Sequence, residues 1–328
     1  MGESIAEQTT TTGEQPVNGE VAWLRNSETV QRPLSRWERT SFALTHAATS
    51  GLLLVLGLRG LYRFGQAFGT LEWLINYKRR RRFARALKRV WGRKPTTAER
   101  RFHTRRFFMR ARCDKLFYLI FDRIPRDQAA SLLTFSDRSA VDEALAGGRG
   151  VYIAMSHHGA QHVLAMFFAL LGYPSAGVRD RKESALRRYV QRRFDEKYPE
   201  FGRMRVLYSD SYPREIFRCF EEGYVVGSAM DVSRVRLDHQ KTHEVTIFGE
   251  QTQFLSGPLR VAMRCKTPVL QVFVHSQPGF RYRLDIVEKL YDPALDEQND
   301  QVLDRAMHAY AKNVERCIQE TPSQLSRV

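Results

Sequence analysis

The chain has 328 residues, which is enough for one large α/β domain or two ordinary domains with a sizeable core. Hydrophobic residues make up 43% of the sequence, so a wholly disordered protein is excluded. The formal net charge of +16 predicts a surface that attracts anions, such as nucleic acid, anionic lipid or an acidic carrier protein. Single, scattered cysteines with no CxxC pair argue against a disulfide framework or a zinc knuckle and favour reduced, buried thiols in a cytosol-facing protein: Cys113, Cys219, Cys265 and Cys317.

The first 34 residues are rich in Thr, Glu, Gly and Gln, and we predict that they form a disordered tail. The start is acidic, so it lacks the basic region with which a signal peptide begins. Position 6 is Ala rather than Ser or Thr, which argues against an N-terminal myristoylation signal.

A marginal membrane segment follows the tail. The most apolar part of residues 37–77 is residues 41–58, a stretch 18 residues long that contains Ser, Thr, His and Gly. A helix that spans a bilayer needs about 20 predominantly apolar residues. Three alternatives therefore stay open: a spanning helix, a helix in the membrane interface or in one leaflet, and a buried core helix.

A strongly cationic stretch comes directly afterwards. Residues 78–94, KRRRRFARALKRVWGRK, contain ten Lys or Arg and no acid. Basic residues beside an apolar helix are typical of contacts with anionic lipid on the cytoplasmic side, and this neighbour favours lipid over nucleic acid or a merely solvated helix face. We expect the apolar face of this helical region to consist of aromatic residues: Phe83, Trp91, Phe102, Phe107 and Phe108.

From about residue 140 the pattern alternates between strands and helices. A short helix ending at Gly147-Gly148 precedes the buried strand VYIAMS, and an apolar helix then ends near Gly172 and Pro174. The later elements are predicted to be a basic helix over residues 183–198, a helix over 213–223, a strand ending at Asp231, a strand over 243–249, a helix starting at Gly257-Pro258, two strands joined at Pro278-Gly279, and a last helix over 296–320.

This alternation predicts an α/β fold with a mixed, largely parallel sheet covered by helices on both faces. Together with the composition it predicts three regions. These are a disordered tail (residues 1–34), a helical, basic, membrane-associating region (35–130) and an α/β domain (131–328).

Three histidines stand where the first long strand meets the following helix, in the segment SHHGAQH. Open α/β sheets place their chemistry at the carboxyl ends of strands. His157 is therefore a candidate general base for a hydroxyl. Two alternatives remain open from the residues alone: a metal site of His157, His158 and His162 with Asp231, or histidines that only form structural hydrogen bonds.

The same segment resembles the histidine–x4–acid motif of the bacterial lipid A biosynthesis acyltransferases, the lauroyl and myristoyl transferases, which are related to the phosphatidylinositol mannoside acyltransferases. In that family it has the form His-Phe-Gly-Asn-Trp-Glu after a buried strand; here it is His157-His158-Gly159-Ala160-Gln161-His162. Further blocks are similar in order and spacing over residues 38–323: the strand GYVVGSAMD, the basic helix RKESALRRYVQRRF, residues 245–286 and the segment ETPSQ.

The resemblance implies a glycerol-phosphate acyltransferase-like fold of the lysophospholipid-acyltransferase superfamily, and a membrane-associated acyltransferase on the cytoplasmic face of the inner membrane. It implies acyl transfer from an acyl carrier protein or acyl-CoA thioester to a hydroxyl or amine of a lipid, on an anionic membrane surface. His157 would be the general base, and Gly159 would allow close approach of the backbone. Arg192 and Arg193 would meet an anionic substrate group, and Asp231, at the strand end that matches the family's Asp, would also be a substrate-binding residue. It implies no metal, no redox cofactor and no nucleic acid.

One position departs from the family pattern. The family's orienting acid is replaced by His162, and a neutral imidazole does not stabilise an imidazolium by charge. Either His162 supports catalysis in its own way, or another acid such as Asp231 takes over, or the chain uses different chemistry. The alternative hypothesis from another class is a non-catalytic lipid-binding or scaffolding protein on the same fold. A metal-dependent hydrolase using the three histidines is a weaker alternative.

Overall fold

A seven-stranded sheet forms the centre of the structure, a computed structural model that describes residues 33–179, 185–208, 214–231 and 240–325. Most of the predicted tail therefore lies outside the described residues, as do residues 183 and 184 of the predicted basic helix. The described residues contain nine strands, seven in this sheet and two in a separate hairpin. They are β1 (Leu133–Phe135), β2 (Val151–Met155), β3 (Ser175–Arg179), β4 (Arg205–Tyr208), β5 (Val225–Ala229), β6 (Thr242–Ile247), β7 (Glu250–Leu255), β8 (Val269–Gln277) and β9 (Arg281–Tyr291).

The strand order in the sheet is β1-β9-β8-β2-β5-β3-β4, and β6 and β7 form a separate antiparallel hairpin. Neighbours from β8 to β4 are parallel, whereas β9 runs antiparallel to β8 and pairs with β1 in parallel. This arrangement confirms the predicted mixed, largely parallel sheet. The hairpin between β8 and β9 turns at Pro278-Gly279, as predicted, with Gly279 at a φ of 79°.

Ten α-helices in the described part of the chain cover the sheet and its edges. They are α1 (Arg36–Ile75), α2 (Tyr77–Trp91), α3 (Thr97–Ile120), α4 (Arg126–Ser131), α5 (Ser139–Ala146), α6 (Gln161–Leu170), α7 (Ala185–Lys197), α8 (Arg214–Glu221), α9 (Gly257–Arg264) and α10 (Asp300–Glu320). Helix α10 begins four residues later than predicted, because the Asn299 side chain accepts the backbone N–H of Val302 and caps the helix there.

The helical region and the sheet share one hydrophobic core. Leu61 of α1 and Phe117 of α3 belong to the same buried cluster as Ile153 of β2 and Val272 of β8. Residues Arg36–Val328 accordingly form one compact unit. The predicted division near residue 130 stays a prediction about the roles of the two parts.

Helix α1 carries the marginal apolar segment, and it is interrupted at Gly57, whose φ of 62° and ψ of 179° are not helical. It is long and apolar enough to cross a membrane, and only 11% of its most apolar window is buried. A buried core helix is thus excluded for this window. The exposed large apolar side chains of α1 are Trp37, Leu44, Leu54, Val55, Leu56, Phe64, Phe68, Leu71, Leu74 and Ile75.

Three of the five aromatic residues that were expected on the apolar face of α2 and α3 lie in a buried core. Phe83, Phe107 and Phe108 are buried together in a small core, and the rings of Phe83 and Phe107 stack with centroids 4.5 Å apart. Phe102 alone among the five is exposed. These three residues are buried because α2 packs against α3, so their aromatic sides face each other.

Candidate active site

His157 and Asp231 meet because two neighbouring strands end in register. Strands β2 and β5 are parallel, and Met155 pairs with Ala229. His157 and Asp231 each lie two residues beyond this pair, so the same register places them opposite each other at the sheet spacing of about 4.8 Å. The site is therefore at the carboxyl ends of two central strands, the edge at which α/β sheets place ligands.

Both oxygens of Asp231 bind His157. Oδ1 lies 2.8 Å from the ring Nδ1, and Oδ2 accepts the backbone N–H of His157 at 2.7 Å. A carboxylate only accepts, so Nδ1 is the protonated nitrogen and Nε2 is the nitrogen able to accept a proton. The second bond, to the backbone, fixes the carboxylate itself. This is the histidine–acid arrangement in which the acid orients the base and stabilises its charged form.

His158 points away from this pair into the interior, where it is 1% exposed. Its Nε2 lies 2.8 Å from Oγ1 of Thr321, which follows α10. Burial, helped by His275 and Arg110, lowers the pKa of His158 to about 3, so the ring is neutral at physiological pH. The ring of His158 therefore lies in the interior, bonded to Thr321, and away from His157 and Asp231.

His162 stands on the first turn of α6, where its ring contacts Tyr118 with centroids 6.2 Å apart. Burial lowers its pKa, and the charges that act on it are those of Asp114, Arg110 and Arg187. The acid in this electrostatic neighbourhood is thus Asp114 of α3. Asp231, by contrast, is bound to His157.

Gly159 occupies a place that no other residue fits. Its φ is 71°, and a Cβ built on it would lie 2.0 Å from the carbonyl oxygen of Val274 in β8. Its N–H donates to the carbonyl of Gln324 at 2.7 Å, and the N–H of Ala160 donates to Val274 at 2.7 Å. The glycine therefore allows the turn after His157 to lie against β8.

Arg193 of α7 binds a buried carboxylate. Its Nε lies 3.0 Å from Oδ2 of Asp122, and His46 of α1 places Nε2 2.9 Å from Oδ1 of the same carboxylate. Asp122 and His46 are both buried. These three side chains join the apolar helix α1 to the basic helix α7. Arg192, the residue before Arg193, is exposed.

Comparison with known proteins identifies the family of the chain. The family described as bacterial lipid A biosynthesis acyltransferase matches residues 34–326, nearly the whole chain. The chain belongs to this family. No curated protein matches it. Membership of the family indicates an acyltransferase that uses an acyl donor and a lipid acceptor.

The segment Pro322–Gln324 holds the turn after His157 in place by hydrogen bonds. Its sequence resembled a C-terminal block of the lipid A acyltransferases. Besides the backbone bond to Gly159, the Gln324 side chain accepts the N–H of Ser276 at 2.9 Å. Arg110 of α3 donates to the carbonyls of Ser323 and Leu325 at 3.1 and 2.7 Å. The sequence signalled this segment by resemblance but not its contacts.

Several residues that support this candidate site were missed from the sequence. Asp114 is buried, pairs with Arg110 at 2.7 Å and accepts the Ser276 hydroxyl at 3.0 Å. Tyr310 of α10 donates to the carbonyl of Met155, at the end of β2, at 2.6 Å. Each lies on a helix far from the histidines in sequence. The sequence offered one signal for these residues: each is a charged or phenolic residue within an otherwise apolar helix face.

The metal alternative for His157, His158 and His162 is not supported. Among the described residues, three or more metal-ligating groups come within 4.8 Å of one another in two places only: His158, His275 and Cys317, and His243, Asp304 and His308. His157 and His162 belong to neither.

Replacing Arg193 by Ala should destabilise the folded protein more than replacing Arg192 by Ala. The first change removes a partner from buried Asp122, and we expect a loss of about 1–3 kcal/mol in the free energy of unfolding. Arg192→Ala is the matched control on the same helix and should cost about 0.5 kcal/mol or less. Chemical unfolding in detergent measures both. Equal small losses would contradict the role of the Asp122 pair, whereas a loss of transfer in Arg192→Ala at unchanged stability would assign Arg192 to substrate.

Proposed function

We propose that this protein moves a fatty acyl group from an acyl carrier protein or acyl-CoA thioester to a hydroxyl or amine of a lipid, with His157 as the general base and Asp231 as its orienting acid. The observation that carries the proposal is the contact of 2.8 Å between Nδ1 of His157 and Oδ1 of Asp231. The carboxylate of Asp231, which follows β5, would take the place of the acid that the histidine–x4–acid segment lacks at His162.

The reaction follows from this pair. Nε2 of His157 takes the proton of the acceptor hydroxyl while its oxygen attacks the thioester carbonyl carbon. Asp231 stabilises the imidazolium that forms, as the acid of a triad does. The tetrahedral intermediate then collapses, the carbon–sulfur bond breaks, and the imidazolium returns the proton to the thiolate. The products are a lipid ester and a free thiol, and an amine acceptor would give an amide by the same steps.

Charge supports the choice of substrates. Exposed cations on α2 include Arg81, Arg82, Lys88 and Arg89, and Arg192 is exposed on α7. Such surfaces attract lipid phosphates and acidic carrier proteins, and the planar guanidinium suits phosphate. We propose that the α2 cations dock the protein on an anionic membrane and that Arg192 meets an anionic group of the donor or acceptor.

We propose further that α1 lies in the interface of the cytoplasmic membrane, on its cytoplasmic face, instead of crossing it. One side of α1 is tied to the α/β part, because the ring of Phe42 contacts Tyr189 of α7 with centroids 5.8 Å apart, and His46 bonds to Asp122, which Arg193 of α7 also binds. The opposite side exposes Leu54 and Val55. A helix with one protein-bound side and one exposed apolar side suits an interfacial position.

The deciding experiment is transfer of a labelled acyl chain to a lipid extract. The purified protein, in lipid vesicles, is given the acyl carrier protein thioester or the acyl-CoA, and labelled lipid is extracted. We expect a labelled lipid from at least one donor. If neither donor labels any lipid while the protein still binds anionic vesicles, the enzymatic proposal fails and the non-catalytic lipid-binding alternative replaces it.

A further inference from the structure

A second cluster of chemically active side chains lies beside the active-site turn. His158 follows His157, His275 lies on β8, and Cys317 lies on the last turn of α10. One ligand atom from each comes within 4.8 Å of the others, and Sγ of Cys317 is 3.8 Å from Nε2 of His275. The three residues come from parts of the chain far apart in sequence, so only the fold brings them together.

The hydrogen bonds determine which nitrogen of His158 carries its proton. Oγ1 of Thr321 donates its single hydrogen to the carbonyl of Cys317 at 2.9 Å. It must therefore accept from Nε2 of His158, 2.8 Å away. Nδ1 of His158 is then unprotonated, and it is buried with no hydrogen-bond partner in the described part of the chain. Histidine binds metals in this form, with an unprotonated nitrogen that offers its lone pair and the other ring nitrogen hydrogen-bonded.

From this geometry we propose that His158, His275 and Cys317 form a binding site for a soft divalent cation, with Zn²⁺ as the metal that best fits two imidazoles and one thiolate. Zinc bonds of about 2.0–2.1 Å to nitrogen and about 2.3 Å to sulfur separate two tetrahedral ligands by about 3.5 Å. The Cys317–His275 separation of 3.8 Å is close to this value. On binding, the Cys317 thiol gives its proton to solvent and the thiolate bonds to the metal.

The electrostatic surroundings are compatible with a cation. The Asp285 carboxylate lies 3.5 Å from Nε2 of His275 and places a negative charge beside the site.

A metal here would have a structural role. It would join the turn that carries His157, the central strand β8 and the C-terminal helix α10, which are the three elements that shape the active-site edge. The acyl transfer chemistry itself needs no metal, so the site is separate from the proposed reaction.

The test is stoichiometric metal binding by the full-length protein in detergent. After loading with Zn²⁺ and desalting, elemental analysis should find about one zinc per chain. With Co²⁺, a thiolate-to-cobalt charge-transfer band should appear in the near ultraviolet. Zinc should also raise the midpoint of thermal unfolding by about 5 °C.

Matched variants locate the metal. Cys317→Ser should abolish the cobalt band and weaken zinc binding about 100-fold. Cys219→Ser, which changes another buried thiol, should keep both, and so should His308→Ala, which alters the other three-ligand cluster. Less than about 0.1 zinc per chain in the wild type would overturn the proposal. So would a cobalt band that survives in Cys317→Ser, or binding that is lost only in His308→Ala. His275→Gln repeats the test should Cys317→Ser fail to fold.

Discussion

Asp231→Asn should lower the rate of acyl transfer by about 10³–10⁴-fold, the effect known for the acid of a histidine-based triad. The amide keeps the size of the carboxylate, but it does not stabilise an imidazolium by charge. Its NH₂ group would also favour the wrong tautomer of His157. His157→Ala should abolish transfer. Both are measured as initial rates with a labelled thioester, and thermal unfolding checks that each variant is folded.

His162 provides the contrasting variants. Because Asp231 supplies the carboxylate, His162→Gln should lower transfer about tenfold or less. His162→Glu should not restore a missing function. It would place a second carboxylate in the neighbourhood of Asp114 and lower both stability and activity. If His162→Glu raises the rate while Asp231→Asn leaves it unchanged, the acid has been assigned to the wrong residue. Undiminished transfer by folded His157→Ala would refute the base as well.

Replacing Leu54 and Val55 together by Glu should release the protein from anionic vesicles. The two side chains are 87% and 81% exposed on α1. Each apolar side chain transferred from water into the membrane contributes about 1.5–3 kcal/mol, so losing both should weaken partitioning about 100-fold or more. Co-sedimentation with vesicles measures the effect.

The control is Leu295→Glu, which changes an equally exposed leucine, at 85%, outside the helical region. It should leave vesicle binding unchanged. Reversing the charges of Arg81 and Arg82 should weaken binding mainly at low salt, because surface attraction to anionic lipid is screened. If the Leu54 and Val55 double variant sediments with vesicles like the wild type, α1 does not contact the membrane through this side.

The sequence predicted the longer elements well where their pattern was strong. The buried strand β2, the apolar helix α6 and the β8–β9 hairpin follow from continuous apolar runs bounded by Gly and Pro. Four strands were missed: β1, β3, β4 and β7. Three of them have at most five residues, and β7 is mostly polar, so their existence depends on pairing with a neighbouring strand and not on their own composition.

The direction of the aromatic side chains was not predictable either. Local pattern shows that a helix has an apolar face, but it does not show what covers that face. Phe83 and Phe107 are covered by each other's helices, whereas Leu54 is left exposed. Only the packing of α2 against α3 distinguishes a core face from a membrane face.

The sequence by itself determined the α/β class, the family resemblance and the position of His157 at a strand end, because these depend on short segments whose order along the chain carries the information. It also showed that position 162 lacks an acid. Only the tertiary structure showed which carboxylate lies beside His157. The register of β2 with β5 brings Asp231, 74 residues away, to 2.8 Å from His157. Such a contact depends on strand order and register, which are properties of the whole sheet and are not encoded in either segment alone.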